Sequence, residues 1–68
     1  MNKQKNVLKV VEVPKETKEK WAINYKAGDI KEIATETGYV RQTISRALRL
    51  GLANSDVITK INLYYGVN

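Results

Sequence analysis

Two short amphipathic helix patterns that meet at one glycine, Gly38, constrain this chain more than any other feature of its sequence. Before the glycine, residues of one helical face recur at Ile30, Ile33, Ala34 and Thr37. After it, the same spacing resumes at Val40, Ile44, Ala47 and Leu48, and the pattern stops at Gly51. Because glycine adopts a left-handed backbone without steric cost, Gly38 and Gly51 predict helix ends. The stretch is therefore predicted to form a helix, a tight turn and a second helix.

The first of these helices also carries a start signal. Asp29 is of the residue type that caps helix N-termini, and Glu32 lies three residues later. Together they form a pair that resembles a capping box, in which each side chain accepts a backbone N–H of the first turn. The pair predicts that the first helix begins at Asp29.

The second helix separates polar from apolar residues. At about 100° per residue, with Arg41 at zero, the polar residues fall between about 0° and 140°, and the apolar ones between about 240° and 340°. The polar face consists of Arg41, Gln42, Ser45, Arg46 and Arg49. All three arginines of the chain lie between the two glycines, and no acidic residue does. Guanidinium, amide and hydroxyl groups bind base edges and phosphates in the DNA major groove.

The joint spacing of Ala34, Gly38 and Ile44 resembles the helix-turn-helix of bacterial and phage repressors. In that family a small residue in the first helix is followed by glycine at the turn and by two apolar anchors in the second helix. Here the anchors are Ile44 and Ala47, and the resemblance covers Ile30 to Arg49. It implies that residues 40–49 form a recognition helix whose first turn meets the bases.

The resemblance and the side-chain chemistry together predict a DNA-binding site. The side chains expected to bind base edges are those of Arg41, Gln42, Ser45 and Arg46. Thr43 and Arg49 are expected to contact the DNA backbone, and Lys31 is a further candidate at the start of the motif. Tyr39 falls beside the first turn of the recognition helix and is included in the predicted site.

Length and composition narrow the function class. A chain of 68 residues forms one small domain, and such a domain buries only about 60% of its unfolded surface. The chain has no cysteine and no histidine, which argues against disulfides, thiolate metal sites and histidine-based catalysis. Neither an enzyme nor a metal or other cofactor is expected. The formal net charge of +5 favours an anionic partner such as double-stranded DNA.

The sequence carries no sign of secretion or membrane insertion. Lys9 and Glu12 interrupt the apolar residues near the start, so a signal peptide is not predicted. No apolar run approaches the roughly 20 residues of a membrane span. The expected compartment is the cytoplasm, on the nucleoid when the protein is bound to DNA. No small-molecule ligand is evident from the sequence.

The chain before the motif is predicted to hold an arm and a helix. Residues 1–13 form a basic N-terminal arm with a short strand at Val7–Val13, and residues 14–68 form the helix-turn-helix domain. No second strand pattern is evident, so the strand is expected either to lie across the helices or to pair with its copy in a homodimer. From Pro14 to Lys26 the pattern favours a helix with Trp21 as its core anchor.

After Gly51, a short link of residues 52–54 is expected to lead into a last helix. Ser55 or Asn54 is its predicted cap, and Gly66 its predicted end. The core stripe of this helix consists of Val57, Ile58, Ile61, Tyr64 and Tyr65. Leu63 points away from that stripe and could mark, with Leu52, a subunit contact. The predicted fold class is thus mainly α, a small domain of three or four helices with an N-terminal extended arm or short strand.

The function expected from these features is sequence-specific DNA binding by a repressor-like transcription regulator that acts by occupying its site. An accessory DNA-binding factor in phage-type recombination or excision is an alternative with the same chemistry. A protein-interaction module or antitoxin-like dimer, whose basic face is incidental, is an alternative of another class. This last alternative predicts weak DNA affinity that does not depend on base sequence.

Overall fold

A computed structural model of the chain describes residues 9–67. In chain order its elements are β1 (Val10–Glu12), α1 (Lys15–Asn24), α2 (Asp29–Thr37), α3 (Arg41–Leu50), β2 (Leu52–Asn54) and α4 (Ser55–Tyr65). The two strands form one antiparallel sheet. The prediction of a small, mainly α fold is confirmed. The first two residues of the predicted strand, and the part of the predicted arm that precedes them, lie outside the described residues.

All four helices contribute to one hydrophobic core. Its largest fully buried side chains are Trp21, Ile33, Ile44, Val57 and Ile61. Burial of a large apolar side chain stabilises a fold by about 1.5 to 3 kcal/mol, so these five residues supply most of the driving force. The prediction that Trp21 is a core anchor is confirmed, since only 1% of its surface is exposed.

The turn between α2 and α3 forms as the glycines predict. Gly38 has a φ of 85°, and its N–H donates to the Ala34 carbonyl at 2.9 Å. Gly51 ends α3 in the same way, with a φ of 71° and an N–H that donates to the Ala47 carbonyl. Residues with a side chain adopt such angles only at a cost, which is why glycine stands at both helix ends.

The predicted role of Asp29 as an N-cap is wrong. The cap position of α2 is Gly28, and no side chain caps this helix. Instead, the carboxylate of Asp29 accepts the Lys26 backbone N–H at 2.9 Å and the Tyr65 hydroxyl at 2.8 Å. Glu32 does not complete a capping box either, because its carboxylate accepts the Tyr64 hydroxyl. Residues far along the chain, at the end of α4, therefore supply the partners of both carboxylates.

The expectation that the N-terminal strand has no partner within its own chain is also wrong. Strand β1 pairs antiparallel with β2, with Val11 opposite Ala53. The Val13 N–H extends this pairing by donating to the Gly51 carbonyl at 2.7 Å. Residues 52–54, expected to be a link, are thus a strand. Their three-residue length is too short for an alternating pattern to be visible in the sequence.

Val13, which follows β1, is part of the hydrophobic core. Only 7% of its surface is exposed, and it belongs to the same core cluster as Trp21 and Ile44. The last part of the predicted arm, residues 10–13, is therefore built into the helical domain. It holds the chain beside the C-terminal end of α3.

Val40, which the sequence pattern assigned to an apolar face, lies at the surface, and so does Tyr25. Val40 is 65% exposed, because it precedes α3 with an extended backbone and so does not share the helical periodicity. Tyr25 is exposed for a similar reason, since α1 ends at Asn24.

In α4, Asn54 rather than Ser55 provides the cap, and its Oδ1 accepts the Val57 N–H at 2.8 Å. Gly66 ends α4 as predicted.

Candidate nucleic-acid interface

The orientation of α3 follows from the burial of one of its faces. Ile44 and Ala47 are fully buried, and Leu48 packs against the same cluster. Helix α2, strand β2 and α4 all contact α3 from this side. The opposite face of α3 is therefore turned toward solvent, as the angular separation of its polar residues requires.

The outward face of α3 brings together most of the predicted base-binding residues. Arg41, Gln42, Arg46 and Arg49 are exposed, whereas Thr43 and Ser45 are half-buried. One shallow depression of about 290 Å³ is lined by Gln42, Ser45, Arg46, Arg49 and Leu50. Within residues 9–67, no side-chain hydrogen bond involves an arginine. These guanidinium groups are therefore available to an external anion.

The N-terminus of α3 adds positive character to the same end of the helix. Val40 occupies the cap position and makes no side-chain hydrogen bond. Its carbonyl accepts the N–H groups of Thr43 and Ile44, as in an ordinary first turn. The N–H groups of a first helical turn carry a partial positive charge and attract anions. No acidic residue lies in this turn to neutralise that charge.

The structure places Tyr39 differently from the other predicted site residues. Its ring is half-buried and packs against the core. Its hydroxyl donates to Asp56 Oδ2 at 2.6 Å, which joins the turn before α3 to the first turn of α4. This hydrogen bond and burial raise the pKa of Tyr39. The hydroxyl is thus engaged within the chain, and a contact between Tyr39 and DNA stays a prediction.

Lys31 is not brought together with the arginines of α3. It is exposed on the outer side of α2, in a depression that it shares with Glu32 and Glu36. Two neighbouring carboxylates lower the positive potential around its ammonium group. A phosphate contact by Lys31 would therefore be weaker than one by the arginines.

Sequence reasoning missed Lys18, which lies over the C-terminal end of α3. Its Cδ is 3.2 Å from the position that a Cβ atom on Gly51 would occupy, and its Nζ is 3.8 Å from it. A cation near a helix C-terminus interacts favourably with the helix dipole. The residues are far apart in the chain, and a lysine on the polar side of α1 carries no sequence signal of such a contact.

A second feature missed by the sequence is a cluster of two tyrosines and two carboxylates, Asp29, Glu32, Tyr64 and Tyr65, which joins α2 to α4. Burial alone would raise the pKa of Asp29, but hydrogen bonds from the Lys26 N–H and the two tyrosine hydroxyls outweigh it, so this pKa is lowered. The pKa of Tyr64 is raised by its hydrogen bond to Glu32. The pKa of Tyr65 is raised by burial and by its hydrogen bond to Asp29. The cluster fixes the start of α2, and hence the helix-turn-helix, on the end of α4.

Between residues 9 and 67, no group of three or more potential metal-ligating side chains is placed to hold a metal ion. None of the helices in this part of the chain is long and apolar enough to cross a membrane.

A scan against protein-family models found no match for this chain. Searches of curated proteins and of solved structures found no similar protein either.

Proposed function

We propose that this protein is a sequence-specific double-stranded DNA-binding regulator of the repressor type, which docks α3 in the major groove. One observation carries the proposal. Helix α3 presents Arg41, Arg46 and Arg49 on an exposed face without any acidic residue, while Ile44 and Ala47 on its opposite face are fully buried. An α-helix with its side chains is about 10 to 12 Å across and fits a groove about 12 Å wide. The ten residues of α3 extend about 15 Å along it.

The side chains divide into two roles by chemistry and position. Arg41, Gln42, Ser45 and Arg46 bind base edges, with arginine suited to guanine and glutamine to adenine. Thr43 and Arg49 bind the phosphate backbone, together with the N–H groups at the start of α3 and, more weakly, Lys31. Regulation follows from occupancy, because a bound protein blocks polymerase or bends the DNA.

The proposal includes a homodimer formed through the outer edge of β1. The Val13 N–H points toward the β2 side of the sheet. In an antiparallel pair the backbone groups of successive residues point alternately toward and away from the partner strand. The N–H and C=O of Val11 therefore face β2, and those of Val10 and Glu12 face outward. Val10 and Val11 are also exposed. Among residues 9–67 nothing pairs with this outer edge. Such an edge, with apolar side chains beside it, favours pairing with another strand, and a two-fold pair suits two DNA half-sites.

Two substitutions in β1 test the dimer. Val10→Pro removes an N–H that faces outward, so we expect it to convert dimers to monomers in analytical ultracentrifugation while the fold is retained. Val11→Pro removes an N–H that faces β2, so it should lower stability instead. A wild-type protein that sediments as a monomer at all concentrations contradicts the dimer.

Selection of bound sequences from a random DNA pool tests the DNA-binding proposal itself. We expect enrichment of a two-fold palindrome with half-sites about one helical turn apart. Affinity should fall steeply with salt concentration, as counterion release requires. Recovery of no enriched sequence contradicts the proposal and directs the search to a protein partner, with exposed Leu63 as the first surface to examine.

Alanine variants separate base reading from phosphate attraction. Arg41→Ala should relax specificity at one position and weaken binding by about 1 to 3 kcal/mol. Lys31→Ala should weaken binding to all sequences alike and slightly flatten the salt dependence. Lys20→Ala is the matched control, because it removes the same charge from an exposed position on α1 near the end of α4. Equal effects of all three variants would show that only net charge matters.

A further inference from the structure

A cleft opens between α1, α2 and α3, next to the basic face of α3. Its volume is about 380 Å³, and it is lined by Trp21, Ala22, Tyr25, Ile30, Leu48 and Arg49. Small-molecule sites in proteins are concave, mostly apolar and about 300 to 1,000 Å³ in volume. This cleft lies within that range and is the most enclosed of the surface depressions described for residues 9–67.

The walls of the cleft are mostly apolar. Ile30 and Leu48 are half-buried, and Tyr25 leaves 44% of its surface exposed. The indole N–H of Trp21 is already bound, because it donates to Asn62 Oδ1 on α4 at 2.8 Å. Among the described residues that line the cleft, Arg49 alone is charged. A ligand that fits must therefore combine an apolar body with one anionic group.

We propose that this cleft binds a small carboxylic acid with an apolar or aromatic body, whose carboxylate pairs with Arg49. The guanidinium group binds carboxylates in a planar, two-pronged arrangement that an ammonium group cannot offer. No side chain among residues 9–67 is hydrogen-bonded to Arg49, so an incoming carboxylate displaces no hydrogen bond within this part of the chain.

The position of Arg49 also gives the ligand a consequence for DNA binding. Arg49 lines both this cleft and the depression on the outer face of α3 that it shares with Gln42 and Arg46. A carboxylate in the cleft and a DNA phosphate would compete for the same guanidinium group. The bound acid then acts as an inducer that weakens DNA binding. This coupling, unlike the ligand site itself, rests on the proposed DNA-binding function.

The single tryptophan of the chain makes the ligand site directly measurable. Trp21 is the only tryptophan and lines the cleft, so its fluorescence reports on occupancy without DNA. The probe is phenylbutyrate, with phenylbutanol and phenylbutylamine as analogues of the same apolar body without the carboxylate. We expect a saturable fluorescence change with phenylbutyrate, and affinities at least about tenfold lower for the two analogues, since a charged hydrogen bond contributes about 1.5 to 3 kcal/mol. No saturable change, or equal affinity for acid and alcohol, overturns the proposal.

Three variants assign the binding to the residues named. Arg49→Gln should remove the preference for phenylbutyrate over phenylbutanol, and because Arg49 is exposed the fold should be retained. Ala22→Phe should fill the cleft and lower the affinity for all three probes. Lys20→Gln removes a positive charge from α1 without lining the cleft, so the probe affinities should not change. An unchanged preference in Arg49→Gln overturns the proposal even if Ala22→Phe fails to fold.

The coupling is measured separately, on the DNA sequence recovered by selection. Saturating phenylbutyrate should lower DNA affinity by a factor within the usual range of about 5 to 150 for linked sites, and phenylbutanol should not. An unchanged DNA affinity overturns the coupling but leaves the ligand site in place. Failure of the protein to bind any DNA contradicts the proposed function, whereas the fluorescence result then stands alone.

Discussion

Helices α1 and α3 have the same length but are held in the fold in different ways. Each has ten residues. Helix α3 buries Ile44 and Ala47 completely, and Leu48 packs beside them. Helix α1 buries only Trp21, and its Ile23 is 82% exposed. The attachment of α3 is thus shared by several side chains, whereas that of α1 depends on one.

The difference matters because the proposed functions use the two helices differently. Base recognition needs α3 to be held rigidly, which the buried Ile44 and Ala47 on its core face provide. The cleft, by contrast, exists because α1 contacts its neighbours through Trp21 and leaves Tyr25 uncovered. A helix held by a single large residue leaves apolar surface open to a ligand.

The largest expected effect is that of Trp21→Ala. Removal of a buried aromatic side chain costs about 3 to 5 kcal/mol, and a domain of this size has little more stability than that. The substitution also leaves Asn62 without the indole N–H that its Oδ1 accepts. Urea denaturation followed by circular dichroism should show a largely unfolded protein.

Trp21→Phe is the companion variant for this prediction. It keeps most of the apolar surface and loses the indole N–H, so its cost should be nearer 1 to 3 kcal/mol, roughly that of an unsatisfied buried polar group. A urea midpoint for Trp21→Ala close to that of the wild type would show that other residues also anchor α1. The attachment of α1 would then not differ from that of α3.

Asp29→Ala is expected to have the next largest effect. Two donors lose their acceptor, the Lys26 N–H and the Tyr65 hydroxyl, while the Tyr64 hydroxyl keeps Glu32 as its acceptor. Loss of a buried hydrogen-bond acceptor costs about 1 to 3 kcal/mol. Thermal denaturation measures the loss, and Glu36→Ala, an exposed carboxylate on the same helix, serves as control. Equal melting temperatures for the two variants would contradict the role assigned to the cluster.

The same cluster predicts how stability depends on pH. The pKa of Asp29 is lowered in the fold, so its contribution is present above the unfolded value of about 3.9 and is lost as pH falls through the folded value. The pKa values of Tyr64 and Tyr65 are raised, so their contribution is present below the unfolded value of about 10 and is lost as pH rises beyond it. Thermal denaturation measured over a range of pH should show a loss of stability below the unfolded pKa of Asp29 and another above the unfolded pKa of the tyrosines. Asp29→Asn should flatten the acid side, and an unaltered acid side would count against the assignment.

A smaller effect is expected at the two glycines that flank α3. Alanine in a left-handed conformation costs about 1 to 2 kcal/mol, so Gly38→Ala and Gly51→Ala should both destabilise. At Gly38 the space around a Cβ atom is open, whereas at Gly51 the atom meets the Lys18 side chain. Gly51→Ala should therefore cost a few tenths of a kcal/mol more (roughly the cost of shifting a flexible side chain). In a Lys18→Ala background the two glycine variants should become equal, and a persistent difference would place its cause elsewhere.

The smallest expected effect is that of Ile23→Ser. Because Ile23 is 82% exposed and α1 does not use it as an anchor, the substitution should change stability by less than about 0.5 kcal/mol. Urea denaturation gives the value. A loss of more than 1 kcal/mol, on the order of a buried residue, would mean that Ile23 is covered in solution, for example by a second subunit.

The sequence by itself determined the parts of this protein that depend on neighbours in the chain. The ends of α3 and α4 and the face of α3 that carries the arginines follow from spacings of three or four residues. The helix-turn-helix follows from the spacing of Ala34, Gly38 and Ile44 within one short stretch of the chain. The role of Trp21 as a core anchor follows as well, because a large aromatic side chain on the apolar face of a helix is expected to be buried. Local spacing decides these features, since helical hydrogen bonds and faces repeat over three to four residues.

Only the tertiary structure decided the features that join distant residues. These are the pairing of β1 with β2, the tyrosine partners of Asp29, and the cleft that ends at Arg49. A carboxylate at the start of a helix can cap that helix, or it can accept a hydroxyl from another helix. The residues next to it in the sequence are the same in both cases, so they do not show which of the two occurs. The choice depends on which groups packing brings within hydrogen-bond distance, and packing is a property of the whole chain.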